Sequence, residues 1–517
     1  MMLDASPAES RLIRVLLLSC GALLALVLAL HPVVNFDLGF HLRTGEIVLA
    51  QGIPTTDPFS FTIEGAPWFL EQWLGTTIFY AVWKTLGIEG LVVFKAAVVA
   101  LAFFLVTLSG RRTGAGVVAA VVAALLAVAA GEVRFRAQPY VFSFVGLALT
   151  CWHLERFRIQ RDLRSVWPIV PLFALWPHVH VGYLYGLAAV GSFTAGAVLE
   201  RLAAPRLPHG VIDARLDDRA VKVLIGLTAA CGAAALLSLI TFHPVGFGTL
   251  ARVWEIFVSD FYRQNYQEMR SLAVAYGVNL PVMILWSLPM IVWLALRRRI
   301  ALPHVLMWAA FVFTGIRVGR MVAESSIVVA PIAAAALQVA AERLAARDAL
   351  GALRRLLPPR RLAAGVVIFT LLASANYVRL GWARGLGWSD WNYPRACYEW
   401  IDENGLPPRM FNDMFFGGTF IFHFYPRRKV FIDGRTPYRE EFFRGVYEPI
   451  KSAAPGWEEI IDKARIDWFL LADMRFKRLH GALHRSPRWE MAHRQGTCVI
   501  YTRVDTQPDV NAEESSP

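Results

Sequence analysis

The chain has 517 residues, is 56% hydrophobic and only 18% charged, and carries 52 Lys and Arg against 40 Asp and Glu. Soluble domains average about 25% charged residues, so this composition excludes an ordinary soluble enzyme. The net charge of +12 does not signal nucleic acid: most basic residues lie in short links between apolar runs, where membrane topology puts them, and no basic stripe is interleaved with aromatics.

The N-terminal run RLIRVLLLSCGALLALVLAL is longer than a signal-peptide core, and no small-residue cleavage site clearly follows, so a retained first span is expected at 12–31. Further spans are expected at 90–109, 114–130, 138–154, 165–178, 181–199, 221–242, 279–296, 302–316, 321–341 and 362–380. These runs approach the ~18–20 residues that cross a bilayer as a helix. They lack the alternation of barrel strands, and a helix satisfies its own backbone in lipid. The segment at 72–87, QWLGTTIFYAVWKTLG, holds Gly, Thr and Lys84 and reads as an interfacial helix. The pair 165–178 and 181–199 is short enough to be a bent or re-entrant hairpin. The fold class is an α-helical polytopic membrane protein of about 11 transmembrane helices with a small C-terminal extracytoplasmic α/β domain. No internal repeat argues for a transporter built from inverted halves.

Charge orients the chain. With Arg11 and Arg14 inside, the pairs and clusters at Arg111 and Arg112, at 155–164, at 200–220 (Arg201, Arg206, Arg215, Arg219), at Arg297, Arg298 and Arg299, and at 342–361 (Arg343, Arg347, Arg354, Arg355, Arg360, Arg361) all fall inside. This puts the C-terminus outside the cytoplasmic (inner) membrane. The expected organisation is a membrane domain at 1–380 with an outer loop at 32–89, an extracytoplasmic α/β domain at 381–505, and a disordered tail at 506–517. Within 381–505 the runs RMFND, TFIFHFY, KVFIDG, WFLLAD and CVIYTR read as strands. Cys20, Cys151 and Cys231 lie in apolar spans. Cys397 and Cys498 share the outer domain, where an oxidising compartment permits either a disulfide or two thiols.

The outer loop gathers chemistry. Asp37 follows the first span directly, and a carboxylate at the mouth of a span carries a functional expectation. His41 shares its helical face, and Arg43 follows. Asp57, in TTDPFS, is either a substrate contact or a turn residue. Glu71 is either a second acid or a helix-start carboxylate. Other outer segments hold Arg134, Arg136 and Gln138 in GEVRFRAQPY, His178 and His180 in WPHVHVGY, and Arg317, Arg320 and Glu324 in GIRVGRMVAE. Arginine suits bidentate phosphate contacts; its bland alternative is snorkelling or pairing. His178 and His180 at i, i+2 do not share a helical face, and no residue is assigned as a metal ligand.

Carboxylates and arginines at a membrane surface suit transfer of a group from a lipid phosphate to a hydroxyl, with an acid as base and guanidiniums, helped at most by a divalent cation, on the leaving phosphate.

At these residues the chain resembles the GT-C superfamily of polytopic glycosyltransferases. Asp37 matches the early catalytic Asp, and Glu71 is the best match for the second acid. FDLGFHLRTGEIV resembles a D-x-x-x-H-L-x-x-G-x-x-I opening found in a largely uncharacterised bacterial group. That group also has a W-x-x-x-H motif, matched by Trp176 and His180, and C-terminal N-D-x-x-x-G-G and F-I-D-G-R patterns, matched by Asn412, Asp413, Gly417 and Gly418 and by Phe431, Asp433, Gly434 and Arg435. The early Asp does not stand in a D-E or D-x-D pair here. The resemblance implies a transferase moving a sugar from a polyprenyl-phosphate donor to a glycan, lipid or protein acceptor, with no nucleic-acid partner. Asp37 and Glu71 would be catalytic. His41, Arg43, Asp57, Arg134, Arg136, Gln138, His180, Arg317 and Arg320 would contact substrate. The rivals are a transporter or flippase of lipid-linked precursors and a non-catalytic membrane scaffold. The Asp433–Gly434–Arg435 turn either binds a ligand or is locked by its own ion pair.

Overall fold

The computed structural model describes residues 7–206, 216–296, 301–346, 359–379, 385–435 and 437–504. Arg215, Arg297, Arg298, Arg299, Arg347, Arg354, Arg355, the side chains of Arg206 and Arg360, and the tail expected at 506–517 lie outside the described residues. The chain is a mostly helical polytopic membrane protein with a small C-terminal sheet. It divides into two compact units, one of Met1–His31 with Glu89–Leu386, the other of Pro32–Ile88 with Gly387–Pro517. The outer loop expected with the membrane domain therefore belongs to the same unit as the C-terminal segment. The reason is apolar: Phe40, Ile47, Phe59 and Trp68 of the loop share one buried cluster with Tyr398, Phe416, Phe420, Trp468 and Ile500. Each such ring buried contributes about 1.5–3 kcal/mol.

Six described helices are long and apolar enough to cross a bilayer: Arg11–Ala29, Trp73–Arg112, Val117–Arg134, Asp218–Phe242, Gly319–Leu344 and Arg361–Arg379. Leu280–Ala295 and Leu302–Arg317 are apolar but shorter. Val141–Gln160 carries Glu155, Arg156 and Arg158 in its last turns, and Ile169–Val179 has 11 residues, about 16 Å of helix. Length and hydropathy alone thus support fewer crossings than the eleven expected. The segments expected at 72–87 and 90–109 are two helices within Trp73–Arg112, separated by a kink at Gly87 (φ 71°, ψ −172°). In lipid, helices associate through close packing of small residues. Val117–Gly131 packs on Val322–Ala346 in this way, Gly131 lying against Ala323. Lys95, buried in its span, is satisfied by donating to the carbonyls of Ala29 and Phe135.

The second unit holds a four-stranded sheet: β1 (Met410–Asn412), β2 (Trp468–Ala472), β3 (Trp489–Gln495) and β4 (Cys498–Arg503), in the order β1-β2-β4-β3. β1 and β2 are parallel and the other pairs antiparallel. RMFND, WFLLAD and CVIYTR are strands as expected. TFIFHFY is instead part of a helix, Met414–Phe424, which Asp413 caps by accepting from the Phe415 amide (3.1 Å). Its residues are apolar on all sides, so no alternation separates strand from helix. KVFIDG makes a single bridge, Ser60 to Val430. Cys397 and Cys498 form a disulfide.

Candidate functional site

Asp37 occupies the N-cap position of the helix Leu38–Gln51, yet its side chain does not cap the helix. Its amide donates to Asn35 Oδ1 (3.0 Å). Its half-buried carboxylate lies against Gly434, so closely that a Cβ at 434 would overlap Oδ1.

The N-D-x-x-x-G-G residues build this placement. Asn412 Nδ2 donates to the Ile432 carbonyl (2.7 Å) and Oδ1 accepts from the Phe431 amide (2.9 Å). Gly417 lies against Ile432 and Asp433, and Gly418 against the Phe36 carbonyl. A side chain at either position would collide with backbone, which a flexible neighbour cannot relieve. The two glycines sit inside a helix rather than in a turn. They let that helix approach both the Asp433–Gly434–Arg435 turn and the residues leading into Asp37.

The turn itself is locked. Arg435 donates to Asp433 through Nε (2.8 Å) and Nη2 (2.6 Å), and to Asp57 through Nη1. Its guanidinium lies 4.8 Å from the Phe59 ring centre and 4.7 Å from that of Trp68. Burial would depress its pKa, but Asp433 and Asp57 push it well above the usual range. Asp57 also accepts from the Phe59 (3.3 Å) and Ser60 (3.0 Å) amides. The turn alternative describes Asp57, whose carboxylate is committed to Arg435.

His41 is 3% exposed, and among the described residues no hydrogen-bond partner meets Nδ1. Burial pushes its pKa down to about 3, so the ring is neutral. Arg43 donates to the Phe422 carbonyl (2.9 Å) and pairs with Glu46 (2.6 Å). Glu71 is half-buried in the turn before the helix Trp73–Arg112.

In the membrane unit a second cluster forms. Arg134, 1% exposed, donates from Nη1 to Glu268 Oε2 (2.6 Å), and its guanidinium lies 4.1 Å from the centre of the Tyr140 ring. Arg320 Nη1 lies 3.7 Å from Glu268 Oε1. Burial would raise the Glu268 carboxyl, but Arg320 and Arg134 outweigh it and hold the group down at about 2. Arg136 adds its positive charge near Glu268 and Tyr140. Glu324 is buried close to Arg134 and Arg320, and its Oε2, the Tyr140 hydroxyl and Arg134 Nε have no hydrogen-bond partner among the described residues.

Trp176 and His180 form a brace: Trp176 Nε1 donates to Ser143 Oγ (2.9 Å), and His180 Nδ1 accepts from the Gly182 amide (3.0 Å) and meets Ser143 Oγ (2.9 Å). Gln138 is half-buried next to this segment's first turn. Arg317 is exposed at the end of Leu302–Arg317 and does not join the Glu268 pairing.

Sequence reasoning thus reached Arg134, Arg136 and Arg320, but missed Glu268 and Tyr276, whose hydroxyl lies 3.4 Å from Arg134 Nη1. Glu268 stands between Arg263 and Arg270 in a polar loop, where it reads as one more solvated charge. Among the described residues, no group of three or more His, Cys, Asp or Glu is arranged to hold a metal ion.

The fold is similar to that of an archaeal oligosaccharyltransferase and of ArnT. No protein-family model matches the chain, and no curated protein sequence matches it. Solved structures do. The archaeal oligosaccharyltransferase AglB from Archaeoglobus fulgidus, in complex with an inhibitory peptide and a dolichol-phosphate, aligns over 89% of this chain and 69% of its own, with a TM-score of 0.54 and 13% identity. ArnT from Cupriavidus metallidurans bound to undecaprenyl phosphate aligns over 97% of this chain and 99% of its own, with a TM-score of 0.52 and 15% identity. Its apo form gives a TM-score of 0.53. At these identities the likeness is one of fold.

Proposed function

We propose that this protein is a glycosyltransferase that moves a sugar from a polyprenyl-phosphate donor to an acceptor hydroxyl at the outer face of the cytoplasmic membrane. The observation that carries the reading is the guanidinium pair of buried Arg134 and half-buried Arg320, in a fold shared with proteins solved with dolichol-phosphate or undecaprenyl phosphate. Cations fixed in a low-dielectric site stabilise a leaving phosphate without reorganising as charge develops.

Asp37 acts as general base. The acceptor oxygen forms a bond to the anomeric carbon and its proton passes to the Asp37 carboxylate. The anomeric carbon–oxygen bond breaks, and the polyprenyl phosphate leaves with the electron pair. Arg136 adds positive charge, and Glu71 lines the acceptor side. The outer-face assignment is supported by the arginine-rich links on the other side and by the Cys397–Cys498 disulfide, a bond that persists in oxidising compartments.

The test is mass analysis of lipid that co-purifies with the full chain. A polyprenyl phosphate retained by wild type and lost from Arg134→Gln is expected. Equal retention by a folded Arg134→Gln protein would remove the phosphate site.

A further inference from the structure

The donor site proposed above already contains an anion. The Glu268 carboxylate sets one oxygen on Arg134 (2.6 Å) and the other near Arg320 (3.7 Å). A phosphodiester also offers two equivalent anionic oxygens. The fit of the carboxylate is incomplete, since 3.7 Å is an ion pair and not a hydrogen bond. Two buried donors beside it, Arg134 Nε and the Tyr140 hydroxyl, have no acceptor among the described residues. A group with more acceptor oxygens would serve them.

Burial is asymmetric. The Arg134 side chain is 2% exposed and that of Glu268 37%. The cation is fixed in the protein, while the anion reaches it from the open side. Glu268 sits in a single 3-10 turn, Gln267–Met269, between two helices of 6 and 4 residues. Upstream, the helix Phe247–Val258 exposes Phe247, Trp254 and Phe257. It begins four residues beyond the end of the span Asp218–Phe242, so chain connectivity keeps it at the bilayer surface, where such a face is at home. The segment bearing Glu268 is short-helical and tethered at the lipid boundary.

We propose that Glu268 is a resident stand-in for the donor phosphate: its carboxylate neutralises Arg134 and Arg320 in the unliganded protein, and lipid phosphate displaces it together with the 259–277 segment. The inference rests on the phosphate reading of Arg134 and Arg320. Its consequence is that donor binding opens this segment, so phosphate affinity is set by a competition inside the protein. Affinity is then reduced by the fraction of molecules in which the carboxylate is seated.

The experiment measures binding of a polyprenyl monophosphate to the full chain in lipid nanodiscs. Removing the competing charge with Glu268→Gln is expected to tighten binding about tenfold, while Arg134→Gln abolishes it with or without Glu268→Gln. In the wild-type protein, hydrogen exchange across 259–277 is expected to accelerate when the lipid is added, a readout that needs no variant to fold. Unchanged or weaker binding by Glu268→Gln, with Arg134→Gln still inactive in binding, overturns the stand-in role and leaves the phosphate site intact. If Glu268→Gln does not fold, exchange across 259–277 that does not rise on lipid addition overturns it instead. Full binding by Arg134→Gln overturns the phosphate site itself.

Discussion

Arg435 is the most exacting test of how the acid end is built. Replacing it with Met keeps the volume and removes the cation. Asp57 and Asp433, both with side chains at 0% exposure, would then face each other without a countercharge. Breaking a buried pair by deleting one partner costs about 3–5 kcal/mol, most of it the stranded charge. The cation–ring contacts with Phe59 and Trp68 add about 0.5–2 kcal/mol. The assay is amide exchange of β2 and β4 in the detergent-solubilised full chain, which reports the opening free energy of that unit without requiring the whole protein to unfold in one step. Exchange is expected to accelerate by about 10³–10⁵-fold, since each 1.4 kcal/mol is tenfold. Adding Asp57→Asn and Asp433→Asn to Arg435→Met removes the stranded charges and is expected to recover at least about 1 kcal/mol, a non-additive result of the kind contacting groups give. An Arg435→Met protein within about threefold of wild type, or no recovery in the triple variant, would refute the locked-turn account.

His41 makes the same unit acid-sensitive. Its folded pKa of about 3 lies below the 6.5 of the unfolded chain, so stability is intact above pH 6.5 and falls as pH drops from 6.5 toward 3, by up to about 1.4 kcal/mol per pH unit. His41→Phe should flatten unfolding curves across that window; an unchanged slope would show that another group is responsible. Gly434→Ala places a methyl group on the Asp37 carboxylate. It should fold, and it should lower sugar transfer by at least about tenfold with donor binding unchanged; equal turnover would mean that Asp37 is not held there for catalysis. The Cys397–Cys498 bond closes a separation of 101 residues, for which chain-entropy arguments give about 4–5 kcal/mol. Non-reducing gels of protein from cells grown without added oxidant should show the oxidised form, and the Cys397→Ser protein should show faster exchange in β4.

The membrane class was legible because apolar length and the arginine bias act on every span at once. The start of the helix Leu38–Gln51 at Asp37 was expected to carry function, and the structure sets that carboxylate against Gly434. The loop's membership of the C-terminal unit was not. Phe40, Phe59 and Trp68 meet Phe416 and Trp468 more than 300 residues away, and no local pattern encodes that pairing. The helix Met414–Phe424 reads as a strand in sequence because uniform apolarity erases periodicity. Asp57 showed its turn signal plainly, in TTDPFS, but not its partner Arg435. Glu268 was hidden for the opposite reason: its neighbours Arg263 and Arg270 supply a bland explanation that the fold does not use.

The central claim is that Asp37 takes the acceptor proton during sugar transfer from a polyprenyl-phosphate donor. Its most direct test is turnover by Asp37→Asn in a preparation that binds donor as well as wild type. The account predicts a fall of about 10²–10⁴-fold, with the amide filling the same space. Transfer at the wild-type rate would contradict it.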